Sequence, residues 1–213
     1  MRNFIITIAS GIWQLILICE DKIKYHGADF GLFVRRKKLG WTENTGNEYK
    51  ASTISNLKYV LNRLPITCKD SVLDIGCGKG KVAYIMSSYP FAYIHGYDLN
   101  ENLVNIANRN FELLNVNSKC HSFIADAARF EGYDNYNYFY FFNSVPYDIF
   151  IKMIGKLNDS INRNPRKVYF IYMHPEQESF LLKNTAFKKI MSRKHFLSFL
   201  VDWFDITVYS NER

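Results

Sequence analysis

What this 213-residue sequence lacks narrows its reading first. Its four cysteines, Cys19, Cys68, Cys77 and Cys120, form no CxxC pair and no Cys/His cluster. That argues against a zinc site or a disulfide framework, so no metal is expected, and it fits reduced thiols in a cytosol. No internal repeat and no low-complexity tract is present. An apolar stretch of the usual bilayer-spanning length is missing too. The longest run, Phe4 to Cys19, falls short of the about 20 residues a spanning helix needs. Charge of one sign is scarce where the chemistry belongs. Residues 69–213 hold seventeen Lys/Arg against fifteen Asp/Glu, whereas residues 1–68 hold ten against five. The net charge of +7 therefore centres on the amino-terminal part, around Arg35-Arg36-Lys37-Lys38. A nucleic-acid enzyme more often carries its basic charge around the cleft, so this balance ranks nucleic acid low among partners.

What is present points to one folded domain with an appendage. Apolar residues make up 48% of the chain and aromatics 16%, enough to bury a core and too many for a disordered chain. The appendage is residues 1–47, an apolar helix followed by a basic arm, and the domain is residues 48–213. The run FIITIASGIWQLILIC at 4–19 has three readings. It packs on the domain or in a dimer interface, it lies on a membrane surface helped by the RRKK cluster, or it spans. Contact with a membrane surface would involve residues 4–38 and place the chain at its inner face. Residues 20–50, with Gly27, Gly31, Gly40 and Gly46, read as an arm with little regular structure.

From Ala51 the pattern turns helical, with Ile54, Leu57, Leu61 and Leu64 on one side and Pro65 as the stop. After Lys69 strands and helices alternate. Strands are expected at Ser71–Ile75, Tyr93–Tyr97, His121–Ile124, Tyr138–Phe142, Lys167–Met173 and Ile206–Ser210. Helices are expected at Lys81–Tyr89, Asn100–Leu114 and Tyr147–Ile161. This alternation implies an α/β fold with a mostly parallel, doubly wound sheet, which binds ligands at the carboxyl ends of its strands.

Four strand ends carry the chemistry. Gly76, Gly78 and Gly80 form a G-x-G-x-G turn that admits a ligand close to the backbone and opens onto a helix amino terminus. Asp98 ends the second strand, where a carboxylate accepts from ribose hydroxyls, and Asn100 caps the next helix so that Asp98 is free to do so. Asp126, in Ala125-Asp126-Ala127, follows the third strand and suits an adenine amino group. Asn143, in Phe142-Asn143-Ser144-Val145-Pro146, follows the fourth strand and points its amide to where a group would be transferred.

At these residues the sequence resembles the class I S-adenosylmethionine-dependent methyltransferases. The segments D-I-G-C-G-K-G, Y-P-F, G-Y-D-L, A-N-R-N, A-D-A and F-F-N, over about residues 48–175, are similar to a bacterial branch with a DxGCGKG loop and an N-P-F-like turn. The resemblance implies a seven-stranded Rossmann-like sheet, S-adenosylmethionine as donor and S-adenosylhomocysteine as product. It implies that Asp74 and the backbone of Gly76, Gly78 and Gly80 hold the methionine part. Asp98 and Leu99 would lie at the ribose, and Asp126 and Ala127 beside adenine. Tyr49 and Ser52 would close over the methionine end, and Asn143 would face the methyl group. The loop is not the G-x-G-x-x-G of dinucleotide binders. The turn Asn143-Ser144-Val145-Pro146 also departs from the N-P-P-Y/F of amino-group methyltransferases, which argues against base or glutamine methylation.

A hydroxyl acceptor needs a base. His174 at a strand end is the first candidate, followed by His121 and Tyr147. For the acceptor, a hydroxyl of a cell-surface glycan or its lipid-linked precursor ranks first, since a neutral core would sit behind a membrane-docking amino terminus. A small molecule belongs with it. A protein side chain of the lysine type ranks second, and a nucleic acid third. A non-catalytic S-adenosylmethionine-binding protein is the reading from a different class. The expected location is cytoplasmic, peripheral to the membrane.

Overall fold

The computed structural model describes residues 23, 25–31, 33–34, 39–40, 49–50, 52, 54–194 and 204–211. The apolar run at 4–19 and the RRKK cluster at 35–38 lie outside the described residues. Two short strands, β1 (Phe33–Val34) and β2 (Tyr49–Lys50), pair antiparallel. Helix α1 (Ile54–Leu61) leads into the sheet. Then follow β3 (Ser71–Ile75), α2 (Lys81–Met86), β4 (Tyr93–Asp98), α3 (Glu101–Leu113) and β5 (Cys120–Ile124). The second half holds β6 (Tyr138–Phe141), α4 (Tyr147–Arg163), β7 (Tyr169–Met173), α5 (Glu178–Asn184), β8 (Lys188–Arg193) and β9 (Ile206–Ser210).

The large sheet has seven strands in the order β5-β4-β3-β6-β7-β9-β8. The first five in that order are parallel, and β9 runs antiparallel to both β7 and β8. Parallel strands covered by helices are buried on both faces, so they read as continuous apolar runs. Alternate residues then serve opposite cores. Tyr138 and Tyr140 face the core shared with Leu57, Val60, Ala83 and Phe111, from α1, α2 and α3. Phe139 and Phe141 face the core of Phe150, Met153, Leu157 and Phe170, where α4 packs. Phe139, Phe141, Phe150 and Phe170 are each at most 1% exposed. Burial of each contributes roughly 2–3 kcal/mol.

Several boundaries and two elements differ from expectation. Helix α2 stops at Met86 rather than Tyr89. There the hydroxyls of Ser87 and Ser88 donate to the carbonyls of Tyr84 and Ile85 and compete for the last turn. Strand β7 begins at Tyr169, not Lys167, and α4 runs on to Arg163. Helix α5 and strand β8 were not foreseen. The strand reads KKIMSR, all but Met191 exposed, and a bulge between Lys189 and Met191 breaks its alternation.

The arm is also more ordered than its composition implies. Tyr25, Ala28 and Phe30 are buried against Ile54, Tyr84 and Leu114. Phe30 stacks on Tyr84 at 5.7 Å, and Tyr25 meets the same ring edge-on. Among the described residues no helix is long and apolar enough to cross a membrane.

The chain leaves β3 toward β4 on one side and returns as β6 on the other. The loops after β3 and β6 therefore diverge at a topological switch point and open a crevice at the carboxyl end of the sheet.

Candidate cofactor site

The glycine turn after β3 forms the floor of this crevice. Gly76, Gly78 and Gly80 all hold positive φ, at 73°, 52° and 80°, a region that favours glycine. The N–H groups of Gly76 and Cys77 both donate to the carbonyl of Tyr97 at 2.9 Å, which ties the turn to β4. A Cβ on Gly76 would collide with Ser144, whose hydroxyl donates to the Ile75 carbonyl at 3.0 Å. A Cβ on Gly80 would stand 2.5 Å from the Phe111 ring. The turn is thus compressed between the loop after β6 and helix α3.

Asp98 walls the crevice, and Asp74, in β3 two residues before Gly76, is buried and outside that wall. Asp98 is 5% exposed and accepts from the Gly78 N–H at 3.0 Å and the Asn100 N–H at 2.9 Å. Burial raises its pKa, and these backbone donors oppose the rise. Asn100 caps α3 as expected, its side chain accepting from the Leu103 N–H at 3.2 Å. Asp74 is 2% exposed, and its Oδ2 has no hydrogen-bond partner among the described residues. Burial, and next the charge of Asp98, push its carboxyl well above the usual range. The nearby cation is turned elsewhere: Lys79 Nζ lies 2.7 and 2.9 Å from the two carboxylate oxygens of Asp29. A buried acceptor without a donor costs ~1–3 kcal/mol until one arrives. An ammonium-bearing ligand supplies that donor and that charge. S-adenosylmethionine carries an α-ammonium, so the residues present fit it.

The crevice is walled by Gly76, Asp98, Leu99, Asp126, Ala127 and Ile149, with Tyr97, Ala125, Ser144 and Val145 between them. Leu99 is 42% exposed at the mouth. Asp126 is in place, but its Oδ1 already accepts from the Ala128 N–H at 2.8 Å, and Oδ2 lies 3.6 Å from Arg129 Nε. Ser52 is buried, and its hydroxyl accepts from Tyr140 at 2.7 Å. Tyr140 and Ser52 are thereby tied together inside the core, and Ser52 is not among the residues that wall the crevice. Tyr49 is described only as part of β2.

Asn143 and His174 are brought together, but they are not among the wall residues. Both adopt positive φ, 39° and 54°, uncommon for side-chain-bearing residues. The Asn143 amide donates to the His174 carbonyl at 2.6 Å and accepts from the Tyr172 hydroxyl at 2.5 Å. The Tyr172 hydroxyl also accepts from the Gln177 N–H at 3.3 Å. Asn143 thus clips the ends of β6 and β7 together through its side chain. His174 Nε2 lies 2.6 Å from Glu176 Oε1. Sequence reasoning missed Tyr172, Glu176 and Ser144. Glu176 had a visible signal, an acid two residues beyond His174. His121 is exposed in the first half of β5, opposite His95 and three residues short of the strand's carboxyl end. Tyr147 opens α4 and meets Phe180 edge-on at 6.0 Å. Tyr147 lies between the wall residues Val145 and Ile149 in sequence, and His121 lies away from the carboxyl end of its strand. Among the described residues no group of three or more His, Cys, Asp or Glu is placed to hold a metal ion.

Residues 72–147 match a family model described as a methyltransferase domain. No curated protein sequence matches the chain. The tRNA (uracil-54, C5)-methyltransferase of Pyrococcus abyssi, solved with S-adenosyl-L-homocysteine, is similar with a TM-score of 0.55 and 15% identity over 80% of this chain and 44% of that one. The methyltransferase domain of bacterial CtHen1-C gives 0.56 and 13% identity over 72% of this chain and 95% of that one. An rRNA methylase from Streptococcus thermophilus gives 0.51 and 11% identity over 68% and 87%. The chain spans less than half the length of the Pyrococcus abyssi enzyme, and at these identities the likeness is one of fold. Residues 72–147 thus carry a methyltransferase-domain match, and the fold of the described residues is one shared with these solved methyltransferases.

Proposed function

We propose that the chain transfers the methyl group of S-adenosylmethionine to a hydroxyl, with the donor seated on the floor between Asp74 and Asp98. The observation that carries this is the buried, unpartnered Oδ2 of Asp74 beside a second buried carboxylate. The donor supplies an electrophilic methyl group on a sulfonium. The chain's own residues supply position. Asp74 receives the α-ammonium, Asp98 with Leu99 orients the ribose, and Asp126 with Ala127 borders the adenine. Gly76, Gly78 and Gly80 let the backbone approach, and Ser52 and Tyr49 border the methionine end. Holding reactants in line is the main source of acceleration available to such a site.

His174 is the proposed base for the hydroxyl proton, with Glu176 holding its ring through Nε2. Asn143 positions this pair by holding the His174 carbonyl. A glycan or small-molecule hydroxyl agrees with the near-neutral core and with peripheral attachment at the inner membrane face, but the attachment rests on residues 4–38, and its apolar run and RRKK cluster are not described.

Equilibrium dialysis with tritiated S-adenosylmethionine tests the donor site. Saturable binding to the wild type and none to Asp98→Ala is expected. Equal binding by both would sink the assignment. Label recovered in lipid-linked glycan, protein or RNA fractions then sorts the acceptors.

A further inference from the structure

The positive charge outside the amino-terminal arm is not spread evenly. Residues 166–194 hold seven Lys/Arg against two Asp/Glu, while 69–165 hold nine against ten. Part of this excess meets α1 at the free edge of the sheet. Neither α1 nor β8 contains an acidic residue. Two guanidinium groups lie over the Tyr59 ring there, Arg63 at 3.6 Å and Arg193 at 4.5 Å from its centroid. Lys58, Arg63, Arg193 and Lys194 are exposed, and among the described residues none of the four forms an ion pair. Lys189, by contrast, is neutralised by Glu178 at 2.6 Å.

The register places this surface at the reacting end of the sheet. Met173, the last residue of β7, pairs with Ile206 of β9, and Ile206 pairs with Arg193 of β8. Arg193 therefore closes the same edge that Asp74, Asp98 and His174 line. At ~4.8 Å per strand, the four strand spacings from β3 to β8 amount to about 19 Å. A ligand seated on Arg193 and reaching the crevice must be extended, and the exposed cations of this edge favour one that is polyanionic.

The geometry points to an RNA strand held through its phosphates on the α1–β8 edge, with the Arg63–Tyr59–Arg193 stack as its anchor and its free end led to the crevice. Planar guanidinium groups match phosphate and stack on aromatic faces, and such aromatic–arginine platforms suit single strands. A bilayer fits less well. Ile190 is the one large exposed apolar side chain of β8, and surface-binding elements insert a full apolar face. The inference rests on the methyl-transfer reading for its purpose, since it makes RNA the acceptor. It ranks nucleic acid higher than average charge alone does.

The test uses the full chain and a fluorescein-labelled single-stranded RNA of mixed sequence, about 20 nucleotides long, titrated by anisotropy between about 50 and 200 mM salt. Wild type binds, and its affinity falls steeply with salt. The double variant Arg63→Gln/Arg193→Gln weakens binding at least about tenfold and lowers the salt slope by about 1.4, two phosphate contacts at ~0.7 each. Lys58→Gln/Lys194→Gln, which leaves the stack intact, weakens binding in the same direction. S-adenosylmethionine binding is unchanged in both. No binding by the wild type, or wild-type affinity in both double variants, overturns the inference. So does recruitment to phosphatidylglycerol vesicles with RNA left in solution. RNA binding without S-adenosylmethionine binding would instead overturn the proposed function and leave this surface standing.

Discussion

Burial first, and then the charge of Asp98, hold the Asp74 carboxyl above its ordinary range, and among the described residues no group donates to its buried Oδ2. The pair is an electrostatic fault in the free chain and an asset once a cation arrives. A cationic ligand favours the ionised carboxyl, so its binding releases the proton that burial helps retain. Affinity for S-adenosylmethionine should therefore rise with pH until Asp74 ionises unaided, then level off. Calorimetry in two buffers of different ionisation enthalpy measures the proton released. Zero release at every pH from about 4 to 8 would count against the assignment.

The same carboxyl affects stability with a definite sign. Its folded-state pKa lies above the unfolded value of about 3.9. Its contribution is complete below the unfolded value and is lost as pH rises through the folded one. Asp74→Asn should therefore raise the melting temperature at neutral pH while weakening S-adenosylmethionine at least about tenfold, ~1.4 kcal/mol. Thermal melts on both proteins at acid and neutral pH check this, since the gap between them should close in acid.

Gly80→Ala imposes positive φ on a residue with a side chain and drives a Cβ into the Phe111 ring. The expected cost is about 2–4 kcal/mol in urea unfolding, combining backbone strain with the overpacked contact. A cost under about 0.5 kcal/mol would mean that the turn relaxes freely.

Asn110 is 3% exposed and makes three bonds. It accepts from the Asp29 N–H at 2.9 Å and donates to the carbonyls of Asp29 and Lys79 at 2.9 and 3.0 Å. Asn110→Ala leaves those backbone groups unpaired, so a loss of roughly 2–3 kcal/mol is expected. Asp29→Asn removes the charge facing the mostly buried Lys79 ammonium and should cost roughly 1–3 kcal/mol. Limited proteolysis near residues 25–31 reads the release of the arm in both.

His174→Ala should lower turnover about 10²- to 10⁴-fold and leave S-adenosylmethionine affinity intact. Glu176→Gln should give a smaller loss and move the pH–rate profile, which a purely structural pairing would not. Unchanged turnover in His174→Ala removes it as the base.

The parallel strands and their loops were legible because two-sided burial leaves continuous apolar runs, and because the glycines and Asp98 fall at strand ends. The Asn100 cap was legible for a local reason: its bond spans three residues. What escaped notice depends on distant partners. Asn143 reads as a free amide until Tyr172 is placed beside it, and the β8 edge has no alternation to read. Average charge concealed a cationic edge because acidic residues elsewhere cancel it.

The segment at 25–31 is bound to the glycine turn through Lys79–Asp29 and Asn110, and to Tyr84 through stacked rings. A cut at residue 48, where motif-bearing sequence begins, would strip Phe30 from Tyr84 and leave an apolar scar behind the cofactor turn. For anyone trimming this chain to a catalytic minimum, the usable boundary lies ahead of Tyr25.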